Sequence, residues 1–367
     1  MSLNWMRHFE LQLLDQNGQG VSLSDFKVTF QIEWADTRWP RVANVKIYNL
    51  STDTTNKILG QEFAKVRIIA GYDGIAPDVD ASQVGVAREI SPDQVGQVNG
   101  QNYGLIFDGD IRFTVTGKDN ITDSWVLIQA ISNHEAFLYA TTITTLAAGY
   151  TVADLHRATM QDFNAFGVTQ GITGDFPDTV FPRGRAIYSS TRNVMDNIAA
   201  QCKATWQLVD GQVQMVPEDK YIHEAIVLNA DTGLIGMPQQ TMGGGVNVRC
   251  LINPNIRING LIQLDQASVY RTQLNNEDLR AVKYDENGNI IPSPKLQESD
   301  MNGNLVVNGT VSQPASIATD GVYIVKAIDY TGDTRGQAWY MDLMCFARGS
   351  RDLVNAGAMQ KTNYRGT

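Results

Sequence analysis

The sequence predicts a mainly β fold in which a small α/β module lies between two strand-rich, β-barrel-like regions. Three observations support this prediction. Short runs of β-branched and aromatic residues, separated by turn residues, dominate the chain up to about residue 132 and again after about residue 221. Between these regions, apolar residues recur at helical spacing in two segments. The second helical segment runs into an alternating pattern around an Asp-Gly pair, which is typical of a hairpin.

We therefore divide the 367 residues into three folded regions and a tail. Residues 1–132 form an N-terminal β-barrel-like domain, and residues 133–220 form the α/β module of two helices and a hairpin. Residues 221–347 form a second β-barrel-like domain, and residues 348–367 are a basic tail. Two insertions interrupt this plan, an acidic one at 71–104 and a polar one at 272–318.

The first region contains seven predicted strands. Turn residues punctuate them, and we predict that Asp108-Gly109 forms a tight hairpin turn. The predicted strands are Phe9–Leu14, Lys27–Trp34, Ala43–Leu50, Lys65–Ala70, Leu105–Phe107, Ile111–Thr116 and Ser124–Ile131.

The α/β module begins with a helix that Thr151 and Asp154 open as a capping box. Its centre is the stretch 188–217, YSSTRNVMDNIAAQCKATWQLVDGQVQMVP. There, Val194, Ile198 and Cys202 recur at i, i+4 and i+8, and the period then changes to two on both sides of the Asp210-Gly211 turn. This pattern predicts an αββ unit.

The third region is again rich in strands. Its clearest feature is a pair of alternating runs at Val322–Tyr330 and Gln337–Phe346, which predicts a hairpin with a longer loop. The polar insertion before this pair is predicted to carry a small hairpin of its own. The other predicted strands are Ala225–Leu228, Val246–Ile252, Gly260–Leu264 and Ala267–Tyr270.

The charge is strongly acidic and unevenly distributed. A net charge of −10 argues against a protein that grips nucleic acid, because neutralising phosphates requires clustered Lys and Arg. The acidic insertion is either a solvated surface loop or a loop that faces a channel or a basic surface of a neighbouring subunit. Its candidate contact residues are Asp73, Asp78, Asp80, Glu89 and Asp93. The basic tail is either a frayed terminus or a strap that docks on an acidic neighbour.

Aromatic and basic residues interleave in the segment WADTRWPR. Trp and Arg are enriched at the centres of protein interfaces, so Trp34, Arg38, Trp39 and Arg41 are candidates for a subunit interface. The alternative is ordinary core and rim packing.

Two segments of the chain resemble one known family. The capped helix that runs into ATWQLVDGQVQMVP, and the N-terminal strand and polar helical turn VANVKIYNLSTDTTNKI, are similar to the baseplate or tail hub proteins of tailed bacteriophages. The resemblance covers about an eighth of the chain, and it rests on the order and spacing of elements.

The resemblance implies an architectural role. In that family each chain contributes two barrels similar to the tail-tube fold, so that a homotrimer makes a ring of six. Such a ring adapts the sixfold tail tube to the threefold spike and leaves a channel through which DNA passes without sequence-specific binding. The implied partners are a second and third copy, the tail tube protein, the spike protein and other baseplate proteins. The implied location is the virion tail.

No catalytic, cofactor-binding or metal-binding pattern emerges from the residues. The four histidines lack zinc spacing, and no nucleophile elbow or phosphate-binding loop is present in the sequence. We therefore expect no enzyme activity, no cofactor and no membrane insertion, and synthesis in the host cytoplasm. Two alternatives stay open, a hexameric tail-tube or distal-tail component and a tail-associated peptidoglycan hydrolase.

Overall fold

The protein is mainly β, as predicted. The computed structural model describes residue 4 and the ranges 6–73, 102–217, 225–240, 245–264, 283–284, 290–291, 297–299, 305–307 and 321–347. One long sheet runs through the first and third regions, in the strand order β14-β15-β22-β21-β3-β4-β7-β6-β5-β1-β2, with the elements bounded as given below.

The first region supplies seven of these strands, which all pair antiparallel. Burial alternates along them because one face covers the core and the other meets solvent. In β3, Val28, Phe30 and Ile32 are buried, while Thr29 between them is half-buried and Gln31 is exposed. The elements are β1 Arg7–Leu14, β2 Gly20–Ser22, β3 Val28–Ala35, β4 Val42–Tyr48, α1 Thr52–Leu59, β5 Lys65–Tyr72, β6 Asn102–Lys118 and β7 Ser124–Ile131.

The predicted hairpin turn at Asp108-Gly109 is wrong, because β6 runs straight through both residues. Asp108 lies opposite Arg67 and accepts a hydrogen bond from its Nε at 3.0 Å. A Cβ atom on Gly109 would lie 2.6 Å from the Phe107 ring and 2.9 Å from the Ile131 backbone. The glycine is therefore required by close packing inside a strand and not by a turn.

The α/β module has a core of its own, which is separate from the core of the long sheet. The predicted capping box is confirmed: the Thr151 hydroxyl accepts from the Asp154 backbone, and the Asp154 carboxylate accepts from the Thr151 backbone. The module forms two small sheets, β8 with β10 and β11-β12-β9. Its elements are α2 His134–Tyr139, β8 Thr141–Leu146, α3 Val152–Asn164, β9 Thr169–Thr173, β10 Arg185–Ser190, α4 Thr191–Gln201, β11 Ala204–Val209 and β12 Gln212–Pro217.

The predicted αββ unit is also confirmed. Helix α4 buries Val194 and Ile198, and it ends at Gln201, after which the half-buried Cys202 is the C-cap. Strands β11 and β12 then pair around a two-residue turn, in which Asp210 has a φ of 49° and Gly211 a φ of 78°. Positive φ at both central residues is the requirement of a type I′ turn.

The third region joins the long sheet and adds short strands in the polar insertion. The predicted hairpin over 322–346 is confirmed, and the predicted strand Ala267–Tyr270 lies outside the described residues. The elements are β13 Ala225–Leu228, β14 Leu234–Gln240, β15 Gly245–Leu251, β16 Leu261–Leu264, β17 Lys283–Tyr284, β18 Ile290–Ile291, β19 Gln297–Ser299, β20 Leu305–Val307, β21 Val322–Asp333 and β22 Trp339–Ala347. In the insertion, β17 pairs with β18 and β19 pairs with β20.

Strand β21 joins the two halves of the long sheet. Its first residues pair with β16, and from Ala327 to Asp333 it pairs with β3. The register against β22 shifts between Val325 and Ala327, at the point where the partner on the other edge changes. One strand therefore belongs to both the N-terminal and the C-terminal region.

The loop of the β21-β22 hairpin also closes over the N-terminal region. The Arg7 guanidinium donates to the carbonyl oxygens of Gly336 at 2.6 Å and of Gln337 at 3.1 Å. The indole ring of Trp339, which is 2% exposed, packs edge-on against both Phe9 and Phe30. An aromatic residue from β22 is thus part of the core that covers β1 and β3.

Both ends of the long sheet are poor templates for adding another strand. At one end, β14 contains Pro238 and an irregularity in its register between Ile235 and Gln239. At the other end, β2 is only three residues long. Proline, bulges and short edge strands are the features by which proteins avoid edge-to-edge aggregation.

Because the two halves share a core, Trp339→Ala should destabilise them together. We expect a loss of about 3–5 kcal/mol in the free energy of unfolding, as is usual for a buried Trp replaced by Ala. The measurement is urea unfolding followed by far-ultraviolet circular dichroism, which should show one shifted transition. Tyr188→Ala, at a position 82% exposed, serves as the control. Two separate transitions, of which only one moves, would contradict a shared core.

Candidate assembly site at the junction of the three regions

A buried carboxylate lies where the three regions meet. Asp210, in the β11-β12 turn of the α/β module, has a side chain only 5% exposed. It forms ion pairs with Arg41, at the N-terminal side of β4, and with Arg257, between β15 and β16. The distance from Arg257 Nη1 to Asp210 Oδ2 is 3.0 Å. One side chain of the module therefore binds one cation from each of the other two regions.

The negative charge of Asp210 is compensated by two cations, in a buried environment where an unpaired carboxylate would be strongly destabilised. Burial alone would raise the pKa of Asp210, but Arg41 and Arg257 outweigh this effect and hold the pKa below its ordinary value. The Arg41 side chain is 2% exposed, its guanidinium lies 4.8 Å from the Trp34 ring centre, and its Nη1 donates to the Ile106 carbonyl at 3.2 Å. Removing the carboxylate would leave two buried or nearly buried cations without their anion.

A second carboxylate ties the same three regions together. Asp36, just after β3, accepts hydrogen bonds from Thr205 of β11 at 2.9 Å and from Asn259 at 3.1 Å. Its other oxygen accepts from Lys326 Nζ at 2.6 Å, in the irregular part of β21. Lys326 also donates to the Asn259 side chain at 2.6 Å. The junction thus contains two polar clusters, one around Asp36 and one around Asp210, and each joins residues of all three regions.

The four candidate interface residues divide into two pairs. Trp34 and Arg41 are buried at the junction, and Trp34 Nε1 donates to Gln207 Oε1 at 2.8 Å. Arg38 pairs with Asp196 of α4, and Trp39 is 61% exposed. The structure therefore assigns Trp34 and Arg41 to a contact within the chain, and the predicted subunit interface stays a prediction for Arg38 and Trp39.

Of the candidate acidic residues, the described part of the chain contains Asp73; Asp78, Asp80, Glu89 and Asp93 lie outside it. The Asp73 carboxylate lies 2.7 Å from Nδ1 of His8, and Glu10 lies 2.9 Å from Nε2 of the same ring. The imidazole also stacks on the Tyr103 ring, with 3.7 Å between the ring centres. Asp73 is thus held by a contact within the chain.

The two carboxylates determine the charge of His8. Burial alone would lower its pKa, but the hydrogen bonds and charges of Asp73 and Glu10 outweigh this effect and raise the pKa to about 9. At neutral pH the ring is a cation between two anions, and it connects β1 to the end of β5.

Sequence reasoning missed the central members of the junction. The sequence indicates Asp210 only as a turn residue, and it gives no local signal for the roles of Asp36, Arg257 and Lys326, because their partners are 47 to 290 residues away. Within the described residues, no group of three or more His, Cys, Asp or Glu side chains is placed to hold a metal ion. None of the helices described is long and apolar enough to span a bilayer.

Comparison with known proteins gives matches in structure only. No family model matches the sequence, and no curated protein matches it. The chain is similar to the prophage MuSo2 43 kDa tail protein from Shewanella oneidensis, with a TM-score of 0.51 and 7% identity over 94% of this chain and 99% of that one. At this identity the similarity establishes a shared fold.

Two further structures are similar over most of this chain. A tail protein from Neisseria meningitidis has a TM-score of 0.48 and 7% identity, over 93% of this chain and 96% of that one. An E. coli component of the type VI secretion system has a TM-score of 0.43 and 7% identity, over 93% of this chain and 76% of that one.

Asp210→Asn should break the junction without disturbing the turn, since Asn also tolerates positive φ. We expect a loss of about 3–5 kcal/mol in unfolding free energy at pH 7, because two cations lose their anion. The folded pKa of Asp210 is depressed, so its contribution is present above about pH 4 and is lost as the pH falls through the folded value. Urea unfolding of the wild type and of Asp210→Asn should therefore show that the difference in their free energy of unfolding shrinks as the pH falls from 7 to 3.

The control for this experiment is Asp119→Asn, which removes a carboxylate that pairs with Lys46 at the surface. It should change stability much less than Asp210→Asn does. Equal effects of the two substitutions would show that burial at the junction is not what makes Asp210 important.

His8→Gln should have the opposite pH dependence. The folded pKa of His8 is raised, so its stabilising contribution is fully present below about pH 6.5 and is lost as the pH rises towards 9. The difference in urea midpoint between wild type and variant should be largest near pH 6 and should shrink between pH 6.5 and pH 9. A difference that does not change over this range would mean that His8 acts through packing alone.

Proposed function

We propose that this chain is a structural protein of a phage tail, specifically a baseplate or tail hub that assembles as a homotrimer. The observation that supports this most directly is the fold, which is shared over 94% of this chain and 99% of a prophage tail protein. That likeness covers the long sheet and the module together, so it concerns the whole architecture and not one common motif.

In this proposal the two halves of the long sheet act as two tail-tube-like barrels within one chain. Three chains then supply six such units, and the ring adapts the sixfold tail tube to the threefold spike around a channel for DNA. The pairing of β21 with both β16 and β3 supports this role, because it fixes the two halves relative to each other. Two units that share a strand can present matched surfaces to a sixfold partner.

In this proposal the junction keeps the α/β module attached to both halves of the long sheet. Asp36 and Asp210 bind the module to both halves, so that load on either half is passed to the other through buried ion pairs. The acidic insertion stays a candidate for facing the channel, where carboxylates would keep a polyanion from adsorbing. The basic tail stays a candidate for docking on an acidic neighbour.

The proposed partners are two further copies of the chain, the tail tube protein, the spike protein and other baseplate proteins. The proposed location is the virion tail, after synthesis in the host cytoplasm. We propose no catalytic role.

The test is the mass of the purified full chain in solution, by light scattering, together with electron microscopy. We expect a particle of about 120 kDa, three times the chain mass of 40.5 kDa, with threefold symmetry and a central hole. A sixfold ring would instead identify a tail-tube or distal-tail component. A clearing zone in a zymogram on bacterial cell wall would identify a peptidoglycan hydrolase.

A further inference from the structure

A lysine, an asparagine and an aspartate form a closed triangle of hydrogen bonds at the junction. Lys326 Nζ donates to Asn259 Oδ1 and to Asp36 Oδ2, both at 2.6 Å. The triangle is closed by Asn259 Nδ2, which donates to Asp36 Oδ1 at 3.1 Å. An amine, a carboxamide and a carboxylate that touches both are the groups that an amide bond between two side chains requires.

Backbone hydrogen bonds fix the three residues next to one another. The Asp36 N–H donates to the Lys326 carbonyl at 2.8 Å, and the Asn259 N–H donates to the Val325 carbonyl at 2.9 Å. The Val325 N–H in turn donates to the Gly260 carbonyl at 3.0 Å. The three side chains therefore start from anchored positions, and they lose little conformational freedom when they react.

The triangle is largely shielded from water. Asn259 is 1% exposed, and the side chains of Asp36 and Lys326 are 7% and 28% exposed. The hydroxyl of Thr205 in β11 donates to Asp36 Oδ1 at 2.9 Å and so orients the carboxylate. Water has little access to the Asn259 carboxamide, so it competes poorly with the lysine amine for the carboxamide carbon.

The direction of the hydrogen bonds assigns a role to each group. A lysine can only donate and an ionised carboxylate can only accept, so the Asn259 carboxamide turns its oxygen to Lys326 and its nitrogen to Asp36. Because a carbonyl bond is about 1.2 Å long, Asn259 Cγ lies within about 4 Å of Lys326 Nζ. This separation is close to that of reacting atoms in a near-attack arrangement. The lysine nitrogen is thus placed as a nucleophile and the carboxamide carbon as its electrophile.

We propose that Lys326 and Asn259 form an intramolecular isopeptide bond, with Asp36 as the catalytic group that transfers protons. Lys326 gives a proton to Asp36 Oδ2, and the neutral amine attacks Asn259 Cγ. Asp36 passes this proton to Asn259 Nδ2 and takes a second proton from the attacking nitrogen. The Cγ–Nδ2 bond breaks, and the ammonia leaves with the second proton as ammonium. One lysine ammonium and one carboxamide thereby give one secondary amide and one ammonium ion, and the Asp36 carboxylate is regenerated.

The same geometry disfavours two competing reactions. Attack of Lys326 on Asp36 would use an ionised carboxylate as the electrophile, and the negative charge of a carboxylate makes its carbon resistant to attack. Ring closure of Asn259 to a succinimide would use the backbone nitrogen of Gly260. The N–H of this nitrogen donates to the Arg257 carbonyl at 3.0 Å, which holds it in another contact.

The bond closes a long loop in the third region. Asn259 and Lys326 are 67 residues apart, and the segment between them contains the whole polar insertion. The link joins the residues just before β16 to β21, the strand that connects the two halves of the long sheet. The inference goes beyond the proposed function and does not depend on it, because the bond forms within one chain.

The test is mass spectrometry of the purified full chain. We expect an intact mass below that of the unlinked chain by about 17 Da, the mass of one ammonia molecule. After trypsin digestion, a branched peptide should join residues 258–271 to residues 296–335, because trypsin does not cleave after a cross-linked Lys326. An unlinked mass, with residues 258–271 and 296–326 recovered as separate peptides, overturns the proposal.

Two variants separate the roles of the reacting groups. Lys326→Arg keeps the positive charge but removes the primary amine, and Asp36→Asn keeps the shape but removes the group that accepts the proton. Both should have the unlinked mass and give no branched peptide, and circular dichroism checks that they fold. Asp36→Asn that gives the branched peptide in the same yield as the wild type overturns the role of Asp36.

The matched control is Lys46→Arg. Lys46 also pairs with a carboxylate, that of Asp119 at 2.9 Å, but at the surface and outside the triangle. This variant should give the branched peptide in the same yield as the wild type. Loss of the branched peptide in Lys46→Arg would show that the yield does not report on the triangle, and would overturn the assignment.

The remaining outcomes identify the competing reactions. A loss of about 17 Da without the branched peptide indicates a succinimide at Asn259-Gly260. A loss of about 18 Da with a link from Lys326 to Asp36 indicates that the carboxylate is the electrophile. Either result overturns the proposed bond. The mass of one chain does not depend on the oligomeric state, so failure of the bond and failure of the homotrimer are distinguished.

Discussion

The structure depends on one buried carboxylate that belongs to the module and is neutralised by the other two regions. Asp210 is almost fully buried, and Arg41 and Arg257 together outweigh the cost of its burial and keep its pKa below the ordinary value. A hairpin turn has thereby become the point at which three parts of the chain are held in one arrangement. Replacing a whole buried ion pair by apolar residues is often neutral in energy, whereas removing the carboxylate alone leaves two cations without their anion.

Strand β21, which both halves of the long sheet share, also holds the regions together, through backbone hydrogen bonds. Strand β21 pairs with β16 and with β3, and its partner β22 carries Trp339 into the core against Phe9 and Phe30. Backbone pairing fixes the register of the two halves, and the two polar clusters, around Asp36 and around Asp210, bind the module to them. Together these contacts join the three regions through a shared strand, a shared core of the long sheet and buried ion pairs.

Local signals in the sequence predicted the local structure well. The capping box at Thr151, the αββ unit around Asp210-Gly211 and the hairpin over 322–346 follow rules that act within a few residues. The wrong prediction of a turn at Asp108-Gly109 also comes from a local rule. An Asp-Gly pair favours a turn, but the rule does not include the packing around the glycine. Gly109 is needed to make room for the Phe107 ring.

Long-range contacts could not be predicted from one sequence. Nothing near Ala35 indicates that it pairs with Ala327, and nothing near Arg41 identifies Asp210 as its partner. The composition of the segment WADTRWPR predicts an interface, but composition cannot distinguish an aromatic residue buried at an internal junction from one exposed at a surface. The fold is what shows that Trp34 is buried at the junction and that Trp39 is exposed.

The pairing of β3 with β21 also sets the order of events during synthesis. About 290 residues separate the two strands, and a ribosome adds about 5–20 residues per second, so β3 waits roughly 15–60 seconds for its neighbour. During that time its edge is open and the aromatic core beneath it lacks Trp339. Until β21 and β22 have been translated, the N-terminal half therefore exposes an unpaired strand edge and an incompletely covered core, and such surfaces are prone to aggregation.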